Sequence, residues 1–202
     1  DLLNFLLLLR ICRLKGLAVA DVLDDWQRSP LAQNEFREWA LDAIEDLRPD
    51  ATVLATDANE LGFIVDGEVV DGDKQVAAIV ESGLSTTIEQ VQAVSGSTYV
   101  IGDPPAHLTS PSECLTRPDA TLLGCLSAPE PRSEQMTAAT QRAAEATGAD
   151  FVTTRPWFCV GDRCPTVVGR FITHRDIEHI TVEYSTYLAP ALARAMGIPY
   201  GG

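Results

Sequence analysis

The residues best equipped for chemistry are Asp176 and His179, in the run Arg175-Asp176-Ile177-Glu178-His179-Ile180-Thr181. A carboxylate three residues ahead of an imidazole can hold one ring nitrogen and so set the tautomer. It also stabilises the cation formed when the other nitrogen takes a proton. His179 is therefore a candidate general base and Asp176 its orienter. The same step also occurs in surface loops, where the two residues would cap the last helix and pack against the neighbouring cysteine turn. Trp157-Phe158-Cys159 and Cys164-Pro165 precede it, and an amphipathic run to Met196 follows. What the step lacks is an evident serine nucleophile. His174, just before it, reads as a solvent-facing strand residue. His107, in the loop after Pro105, could line a site but has no partner in sequence, which favours a structural role.

Five cysteines carry the next signal. Cys159 and Cys164 enclose Gly161-Asp162-Arg163, a turn, and Cys114 and Cys125 enclose a loop with Pro118 and Asp119. Four cysteines could bind zinc, but structural zinc usually takes a tighter C-x2-C knuckle. Two local disulfides fit better and imply an oxidising compartment outside the cytosol. Cys12, beside Arg10, Arg13 and Lys15, is left over and reads as a buried structural thiol. No phosphate loop, dinucleotide fingerprint or metal-ligand cluster is present, so neither a cofactor nor a metal is expected.

The length, 202 residues, suits one domain with a proper core, and no repeat or low-complexity tract interrupts it. A formal charge of −14 argues against nucleic acid as a partner, since phosphates need a basic face. Leu2 to Leu9 falls well short of the roughly 20 apolar residues of a membrane span, and no small-residue cleavage site follows it. The chain begins at Asp1. A fragment of a longer, exported protein is the expectation.

The elements that must position these residues can be read in order. Leu2 to Leu14 reads as a helix stopped by Gly16, and Leu17 to Leu23 as a buried strand. Phe36, Trp39, Ala40, Ala43, Ile44 and Leu47 recur at helical spacing, with Asn34 as cap, Pro49 as stop and Trp39 expected in the core. Thr52 to Ala55 is a strand whose tip, Thr56-Asp57-Ala58-Asn59, lies where open α/β sheets place ligands. Asp66-Gly67 between Phe63-Ile64-Val65 and Glu68-Val69-Val70 predicts a two-residue hairpin. Helical segments follow at Val76 to Val80 and Leu84 to Val94, broken at Gly83, then a strand at Thr98 to Asp103. Ser133 to Thr147 is a helix closed by Gly148, and Phe151 to Thr153 the next strand. Thr166 to Thr173 reads as extended with a break at Gly169. Thr181 caps a closing helix striped by Tyr184, Tyr187, Leu188, Ala191, Leu192 and Ala195, with Pro190 expected to kink it. Alternating strands and helices point to an α/β sandwich with a parallel sheet.

From Tyr99 onward the chain resembles the SGNH-type domain at the C-terminal end of bacterial, particularly actinobacterial, membrane acyltransferase-3 proteins. The residues that carry the resemblance are Val100-Ile101-Gly102-Asp103-Pro104-Pro105, Cys114 with Cys125, Trp157-Phe158-Cys159 with Cys164-Pro165, and Arg175-Asp176-x-x-His179-x-Thr181. The resemblance implies a single SGNH-like domain with a three-layer α/β/α sandwich and a mainly parallel, flavodoxin-like sheet. It implies that His179 and Asp176 are base and orienter of a Ser-His-Asp triad. The family serine follows Gly-Asp after the first strand, and no serine here follows Gly-Asp. First strand and serine block would then be missing or atypical, with the block expected upstream of Asp1. A second alignment sets Cys12 in the serine's place, but leaves too few residues before Leu17 for a helix and crossover. Among the family's oxyanion groups, an asparagine could be matched by Asn59, for which a turn residue capping local backbone is the alternative. The implied function is acyl transfer, often of acetyl, to cell-envelope glycans or glycolipids, or hydrolysis of such esters. The acyl donor would come through an attached transmembrane acyltransferase domain, and the domain would sit outside the cytoplasm, tethered to the membrane. A non-catalytic module that binds glycan or a partner protein is the other reading of a chain without Gly-Asp-Ser.

Overall fold

The computed structural model describes residues 30–56 and 62–200. The early helix and strand, Cys12 and Asn59 lie outside the described residues. By backbone contacts the chain divides into two compact units. One comprises the described residues up to Ile101 together with Ala138–Phe151; the other comprises Gly102–Thr137 and the residues from Val152 onward.

The first unit is built on a three-stranded sheet. Helix α1 (Pro30–Leu47) leads into β1 (Ala51–Ala55), and β2 (Phe63–Val65) and β3 (Glu68–Val70) form a hairpin. Helix α2 (Asp73–Gln92) then leads to β4 (Ser97–Ile101), which pairs with β1 in parallel, Ala51 opposite Ser97 and Ala55 opposite Ile101. After α3 (Pro111–Leu115), which belongs to the other unit, and α4 (Pro131–Thr147), β5 (Asp150–Val152) completes the order β1-β4-β5. The fold is thus α/β with a parallel sheet, as the alternation of elements predicts.

Apolar spacing explains the packing. Ala40 and Ile44 of α1, Leu84, Ile88 and Val91 of α2, and Ala143 and Ala144 of α4 form one cluster with Leu54 of β1 and Val100 of β4. At the mouth of the sheet Gly96 permits a close approach: a Cβ there would lie 2.2 Å from the Asp50 carbonyl oxygen. Gly96 N donates to Pro49 O and Ser97 N to Asp50 O, which starts the β1/β4 register. In the β2–β3 turn Asp66 and Gly67 both have positive φ, 51° and 84°, as a two-residue hairpin requires.

Three expectations are corrected here. Helix α1 begins at Pro30 and not after Asn34, since proline is well placed in a first turn, where its missing N–H is not needed. Trp39 is 56% exposed, not core. The buried stripe runs through Ala40 and Ile44, four residues apart, which leaves Trp39 on the flank. Helix α2 passes through Gly83 without a break. A mid-helix glycine costs about 1 kcal/mol relative to alanine. The buried residues from Val76 to Val91 outweigh that.

The second unit is richer in loops. It contains α5 (Arg155–Phe158), the hairpin of β6 (Val167–Val168) with β7 (Phe171–Ile172), and the closing helix α6 (Val182–Ala195). Both disulfides form, Cys114–Cys125 with Cα atoms 5.7 Å apart and Cys159–Cys164 at 4.0 Å, so the four sulfurs are bonded in pairs and not to zinc. Ser127 and Cys164 exchange backbone hydrogen bonds and tie the segment after the first disulfide to the turn of the second. Phe158, Cys159, Cys164 and Tyr184 form a buried cluster in this unit, and the Tyr184 hydroxyl donates to Trp157 O. Thr181 caps α6 as expected, its hydroxyl accepting from Tyr184 N at 3.2 Å. Pro190 lies inside α6, which continues through it as one helix.

Candidate active site

The Asp176–His179 step occupies a five-residue loop, Arg175 to His179, set on a short antiparallel stem. His174 faces Ile180 across that stem. Arg175 N donates to His179 O at 2.9 Å and Thr181 N to Thr173 O at 3.0 Å. The Thr181 hydroxyl adds a bond to Ile172 O at 2.6 Å. The loop therefore starts and ends at fixed points, and α6 begins as soon as it closes.

Inside the loop the carboxylate of Asp176 is the organising group. Its Oδ1 accepts from the backbone N–H of His179 at 2.7 Å and of Glu178 at 2.9 Å. The His179 ring places Nδ1 3.0 Å from both carboxylate oxygens. Arg175 Nε adds a weaker contact at 3.3 Å. Partial burial alone would raise the Asp176 pKa, but the two backbone N–H groups and the His179 ring outweigh it and bring the value down to about 2. The carboxylate is thus ionised throughout the neutral range. It accepts a hydrogen bond from Nδ1–H, which leaves Nε2 as the nitrogen free to act as base. The His179 side chain is 61% exposed, and Nε2 has no hydrogen-bond partner among the described residues. Neither residue caps α6, because Thr181 does.

His174 is not the solvent-facing strand residue that its sequence suggests. It is fully buried, and His107 is 2% exposed. His107 Nε2 and His174 Nδ1 lie 3.0 Å apart, with ring centroids 4.4 Å apart and edge to face. Phe158 covers His174 at 5.1 Å between centroids, and the Thr173 hydroxyl lies 3.1 Å from its Nδ1. Burial lowers the His107 pKa to about 4. Burial first, and then the neighbouring His107 against a smaller opposing pull from Asp176, lowers that of His174 to about 3. Both rings are neutral at neutral pH.

Two further contacts reach the loop. His107 N donates to Ile177 O at 2.7 Å, and the Ser112 hydroxyl donates to Arg175 O at 2.5 Å. Ser112 follows Ser110, the cap of α3, whose Cys114 carries the first disulfide. Sequence reading missed Ser112 and the histidine pair. His107 and His174 are 67 residues apart, and nothing in their local context pairs them.

Comparison with known proteins adds a family. The family described as "SGNH domain (fused to AT3 domains)" matches residues 12–194. Among solved structures, the periplasmic domain of a lipopolysaccharide acetyltransferase from Salmonella ser. Paratyphi A superimposes with a TM-score of 0.60 at 20% identity. The match covers 85% of this chain and 65% of that one, so the present chain corresponds to under two thirds of its length. At this identity the likeness is one of fold. A catalytic mutant of the acetylxylan esterase Axe2 from Geobacillus stearothermophilus gives a TM-score of 0.49 at 16% identity, covering 83% of this chain and 68% of that one. A peptidoglycan O-acetylesterase gives 0.49 at 16%, covering 80% and 44%. No curated protein matches the sequence.

Proposed function

The chain belongs to the family of SGNH domains fused to AT3 domains, and from that premise we propose that it is the extracytoplasmic domain of a membrane O-acyltransferase. The reaction is transfer of an acyl group, acetyl in the simplest case, to a cell-envelope glycan or glycolipid, or hydrolysis of such an ester. One observation carries this reading: His179 Nδ1 sits 3.0 Å from both oxygens of an ionised Asp176, with Nε2 unengaged among the described residues on an exposed ring. That is the base-and-orienter geometry of a serine acyl-transfer site.

In this mechanism a serine hydroxyl attacks the acyl carbonyl while His179 Nε2 accepts its proton. The imidazolium, held by Asp176, returns that proton to the leaving oxygen as the tetrahedral intermediate collapses to an acyl-serine. A hydroxyl of the acceptor, or water, then attacks the acyl-serine with His179 again as base. Donors around the carbonyl oxygen stabilise the oxyanion, and Asn59 is our candidate for one of them. The acyl donor is delivered through the attached transmembrane domain; no described helix of this chain is itself long and apolar enough to cross a membrane.

His179→Ala in the full-length protein should lower acyl transfer by roughly 10²–10⁴-fold, the usual contribution of a general base. Unchanged transfer sinks the proposal. The absence of any Gly-Asp-Ser run in this chain favours a second reading, a non-catalytic glycan- or protein-binding module. A fluorophosphonate probe on the full-length protein separates the two. Labelling of a serine that depends on His179 supports the enzyme, and an unlabelled but folded domain supports the module.

A further inference from the structure

We propose that His107 and His174 are positioning residues for the Asp176–His179 pair: a buried, hydrogen-bonded imidazole pair that locks the loop carrying the acid–base residues in one place. The proposal rests on the catalytic reading only for its purpose; the coupling itself is argued from the contacts.

His174 is the last stem residue before the loop and Ile180 is its partner, so wherever the His174 backbone sits, both ends of the loop sit. Its ring is bonded by His107 and packed against Phe158. His107 holds the loop a second time, through its backbone N–H to Ile177 O, next to Asp176.

The anchor is itself fixed on its far side. Ala106 N donates to the Ser133 hydroxyl, Glu130 N donates to Ala106 O, and Leu108 N donates to the Ser127 hydroxyl. Ser127 in turn is paired with Cys164 in the disulfide turn. One histidine thus connects a braced segment to the stem of the loop by its side chain and to the tip by its backbone.

Chemistry explains why imidazoles suit this place better than two apolar rings. Burying two of them is costly, and His107 Nδ1 and His174 Nε2 have no hydrogen-bond partner among the described residues. An apolar pair would avoid that cost but could slide, because dispersion contacts carry little directional preference. A ring-to-ring N–H···N bond fixes the relative placement of the two rings and couples their tautomers, so that both carry Nε2–H or both carry Nδ1–H. That placement is what Asp176 needs. Its bonds to two successive backbone N–H groups and to the His179 ring all depend on the path of the loop.

Amide hydrogen exchange by NMR on this chain tests the coupling. His174→Phe keeps a ring against Phe158 but removes the N···N bond. The Glu178 and His179 amides should then exchange faster by about tenfold or more, while the strand amides of Leu54 and Val100 keep their protection. His174→Asn, whose δ-atoms replace Nδ1, should restore most of the loop protection. Loop amides as protected in His174→Phe as in the native chain would overturn the proposal. If His174→Phe loses its core protection, the native chain decides by ¹⁵N shifts of the imidazoles. Matching tautomers at His107 and His174, Nε2–H at both or Nδ1–H at both, support the lock, and unlike or independently averaged tautomers refute it. None of these readings involves turnover, so their failure is distinct from a failure of the acid–base assignment, which His179→Ala tests.

Discussion

At the scale of the residue, Asp176 is held by more donors than an exposed carboxylate normally finds. Two backbone N–H groups and one imidazole converge on it within 3.0 Å. Asp176→Asn would keep the size of the group and offer an amide where His179 needs an acceptor. The ring would lose its enforced tautomer, and acyl transfer in the full-length protein should fall by roughly 10²-fold or more. Steady-state kinetics would check this, the loss falling on kcat and not on KM. The buried histidines make a second residue-scale prediction. Their folded values, about 4 and about 3, lie below the ordinary 6.5. The unfolded chain therefore takes up protons first as pH falls. Stability is undiminished above 6.5 and declines from there toward pH 4, by roughly 1.4 kcal/mol per pH unit for each ring kept neutral. Asp176, whose depressed value acts only below 3.8, contributes no slope in that window. Urea denaturation at pH 7 and pH 5 should show the decline, and His174→Phe should flatten it; equal slopes in both proteins would refute the assignment.

Elements add constraints that no single side chain supplies. The β1/β4 register begins where Gly96 passes the Asp50 carbonyl, with 2.2 Å between that oxygen and any added Cβ. Gly96→Ala should therefore move backbone, costing on the order of 2 kcal/mol, and a denaturant midpoint lowered at unchanged m-value would report it. The start of α6 depends on the Thr181 hydroxyl, which accepts from Tyr184 N and also donates to Ile172 O. Thr181→Ala should lose about 1 kcal/mol by the same measurement. Much of this level could be read from sequence. The Asp66-Gly67 hairpin, the Thr181 cap and the two disulfides involve residues within eleven positions of each other, and local chemistry suffices to pair them. Trp39 and Gly83 misled for a common reason. A helix's buried face and its continuity are decided by what packs on it, and packing overrode both the large side chain and the poor helix former.

Over the whole molecule, the two compact units differ in what stabilises them. The first buries a continuous apolar cluster between helices and a parallel sheet, whereas the second joins short elements through bridges, aromatic contacts and both disulfides. Reducing the disulfides, each worth roughly 3 kcal/mol or less, should accordingly lower the protection of amides in the second unit more than in the first. Equal loss in both units, followed by hydrogen exchange, would contradict this division. The sequence by itself determined the α/β class, the cysteine pairing and the candidate base with its orienter, because each follows from periodicity or from partners a few residues apart. Only the tertiary structure decided that the loop of Asp176 and His179 is tied to Ser112 and rests on His107 and His174. Those contacts join residues more than sixty positions apart, and a lone buried histidine has the same local sequence as an exposed one. What separates them is the three-dimensional neighbour that removes water and supplies a nitrogen 3.0 Å away.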